Sequence, residues 1–203
     1  MLFDTDARMD EVLGQPPRLD PLPDDQIGEA ALVAIDKIRV QNGLDRDSPI
    51  PEFFAMAGRH PELLAAFLDF GVRFLGDTAL PARQRELAIL RTGWLCGAPF
   101  EWGEHVIKGR EEAGLTQEDT ERLTIGSSAP GWDELDRAVV KAMEELHALS
   151  MISDETWGVL ARHLTDQQLL ELPVLAGQYH KVAYVQNSLR VRLRECNPGL
   201  TAR

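Results

Sequence analysis

The chain contains little cysteine, with only Cys96 and Cys196 among 203 residues. Disulfide frameworks and structural zinc sites usually draw on cysteines that are close together in the sequence, and these two lie far apart. Neither arrangement is therefore expected. The low cysteine content instead indicates a reducing, cytoplasmic setting.

The sequence also lacks the signals of secretion or membrane insertion. Asp4, Asp6 and Asp10 stand where a secretory leader would carry basic residues followed by an apolar stretch. No apolar run reaches the length of about 18 residues that a membrane-spanning helix needs. We therefore expect no membrane partner.

Positive charge is scarce, because 33 acidic residues outnumber 21 basic ones and give a formal net charge of −12. Such a field repels phosphate backbones and anionic lipid headgroups. The only dense basic run is Arg190, Arg192 and Arg194, which we interpret as a helix end that pairs with acids on another subunit. We expect no nucleic-acid partner.

Patterns dedicated to cofactors are missing as well. Gly126 and Gly131 flank a Ser-Ser-Ala-Pro turn without the lysine of a phosphate-binding loop. A metal site made of Glu101, His105 and His180 is disfavoured, because the sequence has no H-E-x-x-H or other dedicated ligand spacing. We expect neither a cofactor nor a metal.

No alternating apolar run is long enough for a strand, so the pattern predicts an all-α chain of about seven helices. Four prolines between positions 16 and 23 indicate an extended N-terminal arm over residues 1–24. Residues 25–195 are predicted to form a single helical domain, and residues 196–203 a mobile C-terminal tail. The segments ELAIL at 86–90 and ELPVL at 171–175 share one pattern, which fits a weak internal repeat of two helical units.

Several helix boundaries can be predicted from local chemistry. An apolar stripe predicts a first helix from about Asp24 to Gln41. Pro61 and Pro99 each open a helix, since a first-turn proline needs no N–H partner. Pro173 should kink the last helix or mark a boundary within it.

Two helix starts carry a capping pattern, in which a threonine is followed three residues later by an acid or an amide. The pairs are Thr116 with Asp119 and Thr165 with Gln168.

The densest group of reactive side chains falls between positions 83 and 105. Glu101 and His105 are four residues apart and so share one face of the helix that Pro99 opens, where a carboxylate can orient an imidazole and raise its basicity. Cys96 precedes that helix, whose N-terminal dipole favours a thiolate. Glu86 lies on the preceding helix and would meet His105 if the two helices pack antiparallel.

A simpler interpretation is also open. Glu101 and His105 can form an ordinary surface pair worth about 0.3 to 0.5 kcal/mol, and spacing alone favours this because such pairs are common on helices. Cys96 can equally be a small buried apolar residue, and Cys196 a free cysteine without a role.

Three motifs occur in a fixed order: Arg85-Glu86-Leu87, the segment EWGEH at 101–105, and Ala113-Gly114. In this order the stretch from 83 to 114 resembles the carboxymuconolactone decarboxylase and alkylhydroperoxidase-D-like superfamily. A looser likeness extends from about 61 to 193 and includes Gly177-Gln178-Tyr179.

The resemblance implies an all-helical fold that assembles as a homo-oligomer (a dimer, trimer or hexamer), with a pocket near Glu86 and His105. The hydroperoxidase branch carries two cysteines that would fall at positions 98 and 101, where this chain has Ala98 and Glu101. The paired-thiol cycle is therefore missing. The pattern looks closest to the decarboxylase branch, in which a glutamate precedes the histidine by four residues.

Three hypotheses follow. The first is a cofactor-independent decarboxylase, or a related proton-transfer enzyme, acting on a small lactone acid or an acid derived from an aromatic compound. The second is a peroxide reductase that uses the Cys96 thiol, and the third is a non-catalytic binding scaffold. For the first hypothesis, the expected acid–base groups are Glu86, Glu101 and His105. The expected substrate-binding residues are a cation, Arg85 or Arg91, and an apolar wall formed by Trp94 and Trp102.

Overall fold

The computed structural model describes residues 3–41, 43–75 and 78–203. Within these ranges it contains ten α-helices, two short 3₁₀ turns and no strand, so the predicted all-α fold is confirmed. No helix in the described ranges is long and apolar enough to cross a bilayer.

The described chain divides into two compact units, whereas the sequence predicted a single domain over 25–195. The smaller unit consists of residues 17–78, and the larger one combines the residues up to 16 with residues 79–203. The smaller unit contains the 3₁₀ turn Asp24–Gln26 and the helices α2 (Glu29–Gln41), α3 (Glu52–Ala57) and α4 (Pro61–Val72). The larger unit contains α1 (Thr5–Leu13), α5 (Ala82–Leu95), α6 (Pro99–Ala113), α7 (Gln117–Ile125), α8 (Glu134–Leu149), α9 (Asp154–His163), α10 (Asp166–Leu189) and the 3₁₀ turn Gly199–Thr201.

The smaller unit is built around the contact between α2 and α4. Its buried core residues are Ile27, Ala31, Ala34, Ile35, Ala55, Leu64 and Leu68. The first helix was predicted to begin at Asp24, but Ile27 adopts an extended backbone that separates the 3₁₀ turn from α2. Pro61 opens α4 as predicted.

The N-terminal segment differs from the extended arm that the sequence predicted over residues 1–24. Asp4 caps the helix α1 by accepting a hydrogen bond from the backbone N–H of Ala7 at 2.8 Å. Arg8 on this helix donates to the carbonyl oxygen of Gly97 at 3.0 Å. The prolines break the chain only from position 16 onward, so they do not prevent a helix before them.

Helix α5 is the central element of the larger unit and packs against α6, α7, α8 and α10. Its side chains from Gln84 to Trp94 are all buried. At its first turn, Arg83 donates to Asp136 at 2.8 Å and to Asp119 at 3.0 Å. These ion pairs fix the start of α5 against α7 and α8.

The predicted capping boxes at Thr116 and Thr165 are both present. Pro173 was expected to kink the last helix or to mark a boundary within it; α10 continues through Pro173 as one helix, so no boundary falls there. Leu172 and Leu175 on either side of the proline are fully buried. We attribute the continuity to this packing, which outweighs the hydrogen bond that the proline cannot donate.

The C-terminal residues pack against α6 instead of forming the mobile tail that was predicted. Asn197 is buried and donates to the carbonyl oxygen of Phe100 at 3.0 Å and to Glu104 at 2.8 Å. Leu200 is fully buried. Arg194 pairs with Glu104 of the same chain, although its basic run was expected to pair with another subunit.

Candidate active site

The turn between α5 and α6 determines which side chains of the two helices meet. Helix α5 ends at Leu95 with Cys96 as its C-terminal cap, Gly97 takes a left-handed conformation with φ of 51°, and Pro99 opens α6 in its first turn. The Ala98 N–H donates back to the carbonyl oxygen of Gly93 at 3.0 Å, which closes the turn. Because the connection is so short, the two helices fold back on each other, which is the arrangement under which the sequence placed Glu86 next to His105.

Glu86 on α5 and His105 on α6 are in direct contact, with Nδ1 of the imidazole 2.7 Å from Oε2 of the carboxylate. The other ring nitrogen of His105 lies 3.2 Å from Oε1 of Glu101. All three side chains are buried, Glu86 completely. The imidazole is therefore held between two carboxylates inside the protein, and we call these three residues the proton cluster.

The surroundings of His105 favour its charged form. Burial alone would lower its pKa, but the charge of Glu86 and the hydrogen bonds to Glu101 and Glu86 outweigh burial and raise the pKa to about 9. Burial alone would raise the pKa of Glu86, but the neighbouring His105 and Arg85 hold the pKa of that carboxyl below its ordinary value. At neutral pH the cluster thus contains an imidazolium whose two N–H groups both donate to carboxylates.

Arg85 extends the cluster toward the surface. Its Nε donates to Oε1 of Glu86 at 3.0 Å, and its Nη2 donates to Glu112 at 3.0 Å. Glu112 is the exposed member of this chain of charges, with 44% of its side-chain surface accessible. Arg85 was predicted as a substrate-binding cation, and in the structure its guanidinium is already paired with the carboxylates of Glu86 and Glu112.

Tyr179 on α10 is a cluster neighbour that was not named as a site residue, although it belongs to the looser likeness at positions 177–179. Its ring meets the ring of His105 edge to face, with centroids 5.1 Å apart. Burial and the charges of Glu101 and Glu86 raise its pKa well above the ordinary value, so the phenol stays neutral. Only the packing of α10 against α5 and α6 reveals this contact.

The surroundings of Cys96 disfavour the thiolate that the sequence predicted. It caps the C-terminal end of α5, and burial raises its pKa to about 12 while the charge of Arg8 acts weakly in the opposite direction. Burial therefore outweighs any effect of the dipole of α6. The thiol sulfur lies within 4.8 Å of one ring nitrogen of His147 and one ring nitrogen of His180.

The remaining predicted substrate-binding residues make structural contacts. Arg91 donates to the carbonyl oxygen of Leu123 at 2.6 Å and pairs with Glu144 at 2.8 Å. Trp94 and Trp102 pack on each other with ring centroids 4.8 Å apart. Both indoles are almost fully buried. The described contacts of Arg91, Trp94 and Trp102 are therefore with other residues of the larger unit.

His180 was weighed, and disfavoured, as a metal ligand together with Glu101 and His105, and in the structure its neighbours are other residues. Its ring stacks on that of His147, with centroids 5.2 Å apart, and meets Tyr184 edge to face at 5.9 Å. Glu101 and His105 contact each other without it. Cys196 is exposed.

Solved structures with the same fold cover most of the chain. The AhpD core of an uncharacterised peroxidase-related protein from Ralstonia eutropha JMP134 has a TM-score of 0.73 at 14% identity, covering 89% of this chain and 94% of that one. The debrominase Bmp8, as a C82A variant with 2,3,4-tribromopyrrole, has a TM-score of 0.72 at 11% identity, covering 90% and 94%. A protein of unknown function from Agrobacterium tumefaciens, suggested to be the antioxidant defence protein AhpD, has a TM-score of 0.62 at 19% identity, covering 68% and 94%.

The sequence itself matches one family model. No curated protein sequence matches the chain. The model of the carboxymuconolactone decarboxylase family matches residues 61–145, a range that includes the whole proton cluster. With the shared fold, this match confirms the predicted resemblance to the carboxymuconolactone decarboxylase and AhpD-like superfamily.

Proposed function

We propose that the chain is a cofactor-independent proton-transfer enzyme of the decarboxylase type, acting on a small lactone acid or a related organic acid. The observation that carries this proposal is the proton cluster, in which buried Glu86 and Glu101 hold both ring nitrogens of His105. A protonated imidazole beside a second carboxylate is a source of protons at neutral pH. Buried, perturbed acid–base groups are typical of functional sites.

The reaction requires a single proton from the protein. The bond between the substrate carbon and its carboxylate breaks, carbon dioxide leaves, and the electron pair passes into the conjugated lactone. His105 passes the proton of its Nε2 to Glu101, and Glu101 gives that proton to a carbon of the conjugated system. Solvent returns the proton to His105, so a carboxylate and one proton yield carbon dioxide and the protonated product.

Glu86 and Arg85 have positioning roles in this proposal. Glu86 holds Nδ1 of His105, which fixes the ring and keeps its proton-donating Nε2 toward Glu101. Arg85 in turn holds Glu86. An acidic substrate can reach Arg85 by replacing the exposed Glu112, because both present a carboxylate to the same Nη2.

The substrate is proposed to be small and largely planar. The debrominase Bmp8, which shares the fold, was crystallised as a variant with a substituted pyrrole, a compact planar ring. A lactone acid has a similar size and shape. The family match favours the decarboxylase reaction over the other activities that this fold supports.

A decarboxylation assay in deuterated water tests the proposal. A panel of small lactone acids and β-keto acids is incubated with the protein, and carbon dioxide release is measured together with deuterium incorporation. His105→Gln should lower turnover about 10²-fold or more, since general acid catalysis contributes that much. His163→Gln is the matched control, because His163 pairs with Glu134 at the surface of the larger unit. Unchanged turnover in His105→Gln would remove the proposal.

Peroxide reduction at Cys96 is the alternative enzyme function. The likeness to the peroxidase-related protein from Ralstonia eutropha JMP134 supports it, whereas the raised pKa of the thiol weighs against it. The test is peroxide-dependent loss of free thiol in the wild type and in Cys96→Ala. Failure of both assays in the wild-type protein would favour the third hypothesis, a binding scaffold.

We also propose that the chain is cytoplasmic and assembles as a homo-oligomer. One side of α10 supports the assembly, because Leu170, Val174 and Tyr184 are exposed there with 70%, 41% and 61% of their surface accessible. Exposed apolar side chains on one helix are typical of interfaces. Light scattering coupled to size-exclusion chromatography would measure the mass, and Leu170→Lys should lower it.

A further inference from the structure

A second cluster of reactive side chains lies outside the proton cluster. Cys96 stands at the end of α5, His147 in the last turn of α8, and His180 in the middle of α10. The thiol sulfur and one ring nitrogen from each histidine lie within 4.8 Å of one another. Three separate helices thus bring one sulfur and two nitrogen ligands together, and we call these residues the Cys–His cluster.

The hydrogen bonds of His180 direct a nitrogen lone pair into this cluster. Its Nδ1 lies 2.8 Å from the carbonyl oxygen of Ala176, and because a carbonyl only accepts, Nδ1 must carry the proton. In the neutral ring Nε2 then offers its lone pair, and it faces Nδ1 of His147 at 2.9 Å. Histidines that bind metals are oriented in this way, with the second ring nitrogen donating to a backbone carbonyl.

The position of Cys96 is also fixed from several sides. Asn187 on α10 donates to the carbonyl oxygen of Cys96 at 3.2 Å, and Arg8 on α1 donates to the same oxygen at 3.3 Å. These bonds hold the backbone at the end of α5 next to α10, where His180 lies. The thiol and the imidazole are therefore held on adjoining, mutually tethered segments.

We propose that the Cys–His cluster is a zinc site, with Sγ of Cys96, Nδ1 of His147 and Nε2 of His180 as its ligands. Sulfur and imidazole nitrogen are the ligands that Zn²⁺ prefers, and three protein ligands leave a fourth position for water or another small ligand. A tetrahedral site with ordinary bond lengths places its ligand atoms roughly 3.3 to 3.6 Å apart. Starting from 2.9 to 4.8 Å, the side chains need to move by only about 1 Å.

The protons balance in a simple way. Zinc binding displaces the proton of the Cys96 thiol, which is released to solvent. The proton on Nδ1 of His147 moves to the other nitrogen of that ring, so His147 stays neutral. His180 keeps its proton on Nδ1 and its bond to Ala176.

Metal titration of the full chain tests the site. After treatment with a chelator, the protein is titrated with Zn²⁺ against a competing indicator dye and, separately, with Co²⁺ while the absorption spectrum is recorded. The wild type should bind one Zn²⁺ per chain, and the Co²⁺ form should show a thiolate-to-cobalt charge-transfer band. His147→Ala and Cys96→Ser should each weaken zinc binding at least tenfold, and Cys96→Ser should also abolish the band.

Matched controls separate this site from incidental binding. Cys196→Ala removes the exposed cysteine and His163→Ala removes a histidine elsewhere in the larger unit, and neither should change the affinity or the band. His147 is exposed, so its substitution should leave the fold intact, which circular dichroism checks. The proposal is overturned if the wild type binds no stoichiometric zinc, or if His147→Ala and Cys96→Ser bind it as tightly as the wild type.

Discussion

The charge on buried His105 should make the stability of the larger unit depend on pH. In the folded chain its pKa is about 9, whereas the ordinary value is 6.5. Below pH 6.5 both the folded and the unfolded chain hold the proton, and the stabilisation is complete. Between pH 6.5 and 9 the unfolded chain loses the proton while the folded chain keeps it, so the free energy of unfolding must fall as the pH rises.

The size of this effect follows from the difference between the two pKa values. A tenfold change in proton affinity corresponds to about 1.4 kcal/mol, so the rise from 6.5 to about 9 corresponds to a loss of the order of 3 kcal/mol. Most of the loss should be complete near pH 9. That is a large share of the stability of a typical domain, so the effect should be easy to measure.

Urea unfolding between pH 6 and 9 measures the effect through tryptophan fluorescence, since Trp94 and Trp102 are almost fully buried and will be exposed on unfolding. His105→Gln should be less stable at pH 6 and should lose most of the pH dependence. The surface variant His163→Gln should keep the wild-type slope. A wild type whose stability stays constant from pH 6.5 to 9, or a His105→Gln variant with an unchanged slope, would refute the reasoning.

Three further predictions concern other parts of the larger unit. Burial of Cys96 should slow its alkylation about a thousandfold relative to the unfolded chain, because its pKa rises from 9.0 to about 12; mass spectrometry of the alkylated peptides measures this, and equal rates would contradict it. If Glu112 competes with an acidic substrate for its arginine partner, Glu112→Gln should lower KM with little change in kcat, as steady-state kinetics would show. Gly103→Ala should destabilise the chain by about 1 to 3 kcal/mol, because the added methyl group would collide with the side chain of Asn197. The control Gly158→Ala, whose methyl group meets nothing within 4 Å, should be neutral or stabilising in the same thermal unfolding measurement.

The sequence predicted those features that depend on neighbours along the chain. The capping boxes at Thr116 and Thr165 and the helix starts at Pro61 and Pro99 are each determined by a few consecutive residues. The contact between Glu86 and His105 was also predictable, because two successive helices joined by a short turn can pack antiparallel against each other. Whether the proton cluster is catalytic stays a prediction.

The roles of Arg85 and Trp102 depended on partners that the local pattern does not reveal. Arg85 was expected to bind substrate, but Glu112, 27 positions away, occupies it. Trp102 was expected to form an apolar wall, but its indole N–H donates to the carbonyl oxygen of Ala202 at 3.1 Å. Docking of the C-terminal residues therefore determines the surroundings of Trp102, and those residues show no helical periodicity from which their packing could be predicted.

The Cys–His cluster illustrates the same limit more strongly, because its members are 51 and 33 positions apart along the chain and on three helices. Motif searches depend on short ligand spacings, and this cluster has none. The low cysteine count suggested that no zinc site exists, yet a zinc ion needs only one thiol when two imidazoles converge on it. The absence of short ligand spacings excludes metal motifs made of residues close together in the sequence. It does not exclude a site whose ligands are brought together by tertiary packing.

Both clusters take one residue from α5, and their separation limits how one can act on the other. Glu86 and Cys96 are ten residues apart, which places them about 15 Å apart along the helix axis. A zinc ion at Cys96 is therefore too distant to touch Glu86 or its contact with His105, and its charge would be a weak influence there. Zinc should raise the thermal stability of the chain by binding the folded state, and this stabilisation should itself grow with pH because binding releases the Cys96 proton. The contribution of His105 is therefore measured as the difference in stability between the wild type and His105→Gln, and zinc should leave the pH range over which that difference falls unchanged. A zinc-induced shift of that range would show that the two clusters are coupled more directly than this geometry allows.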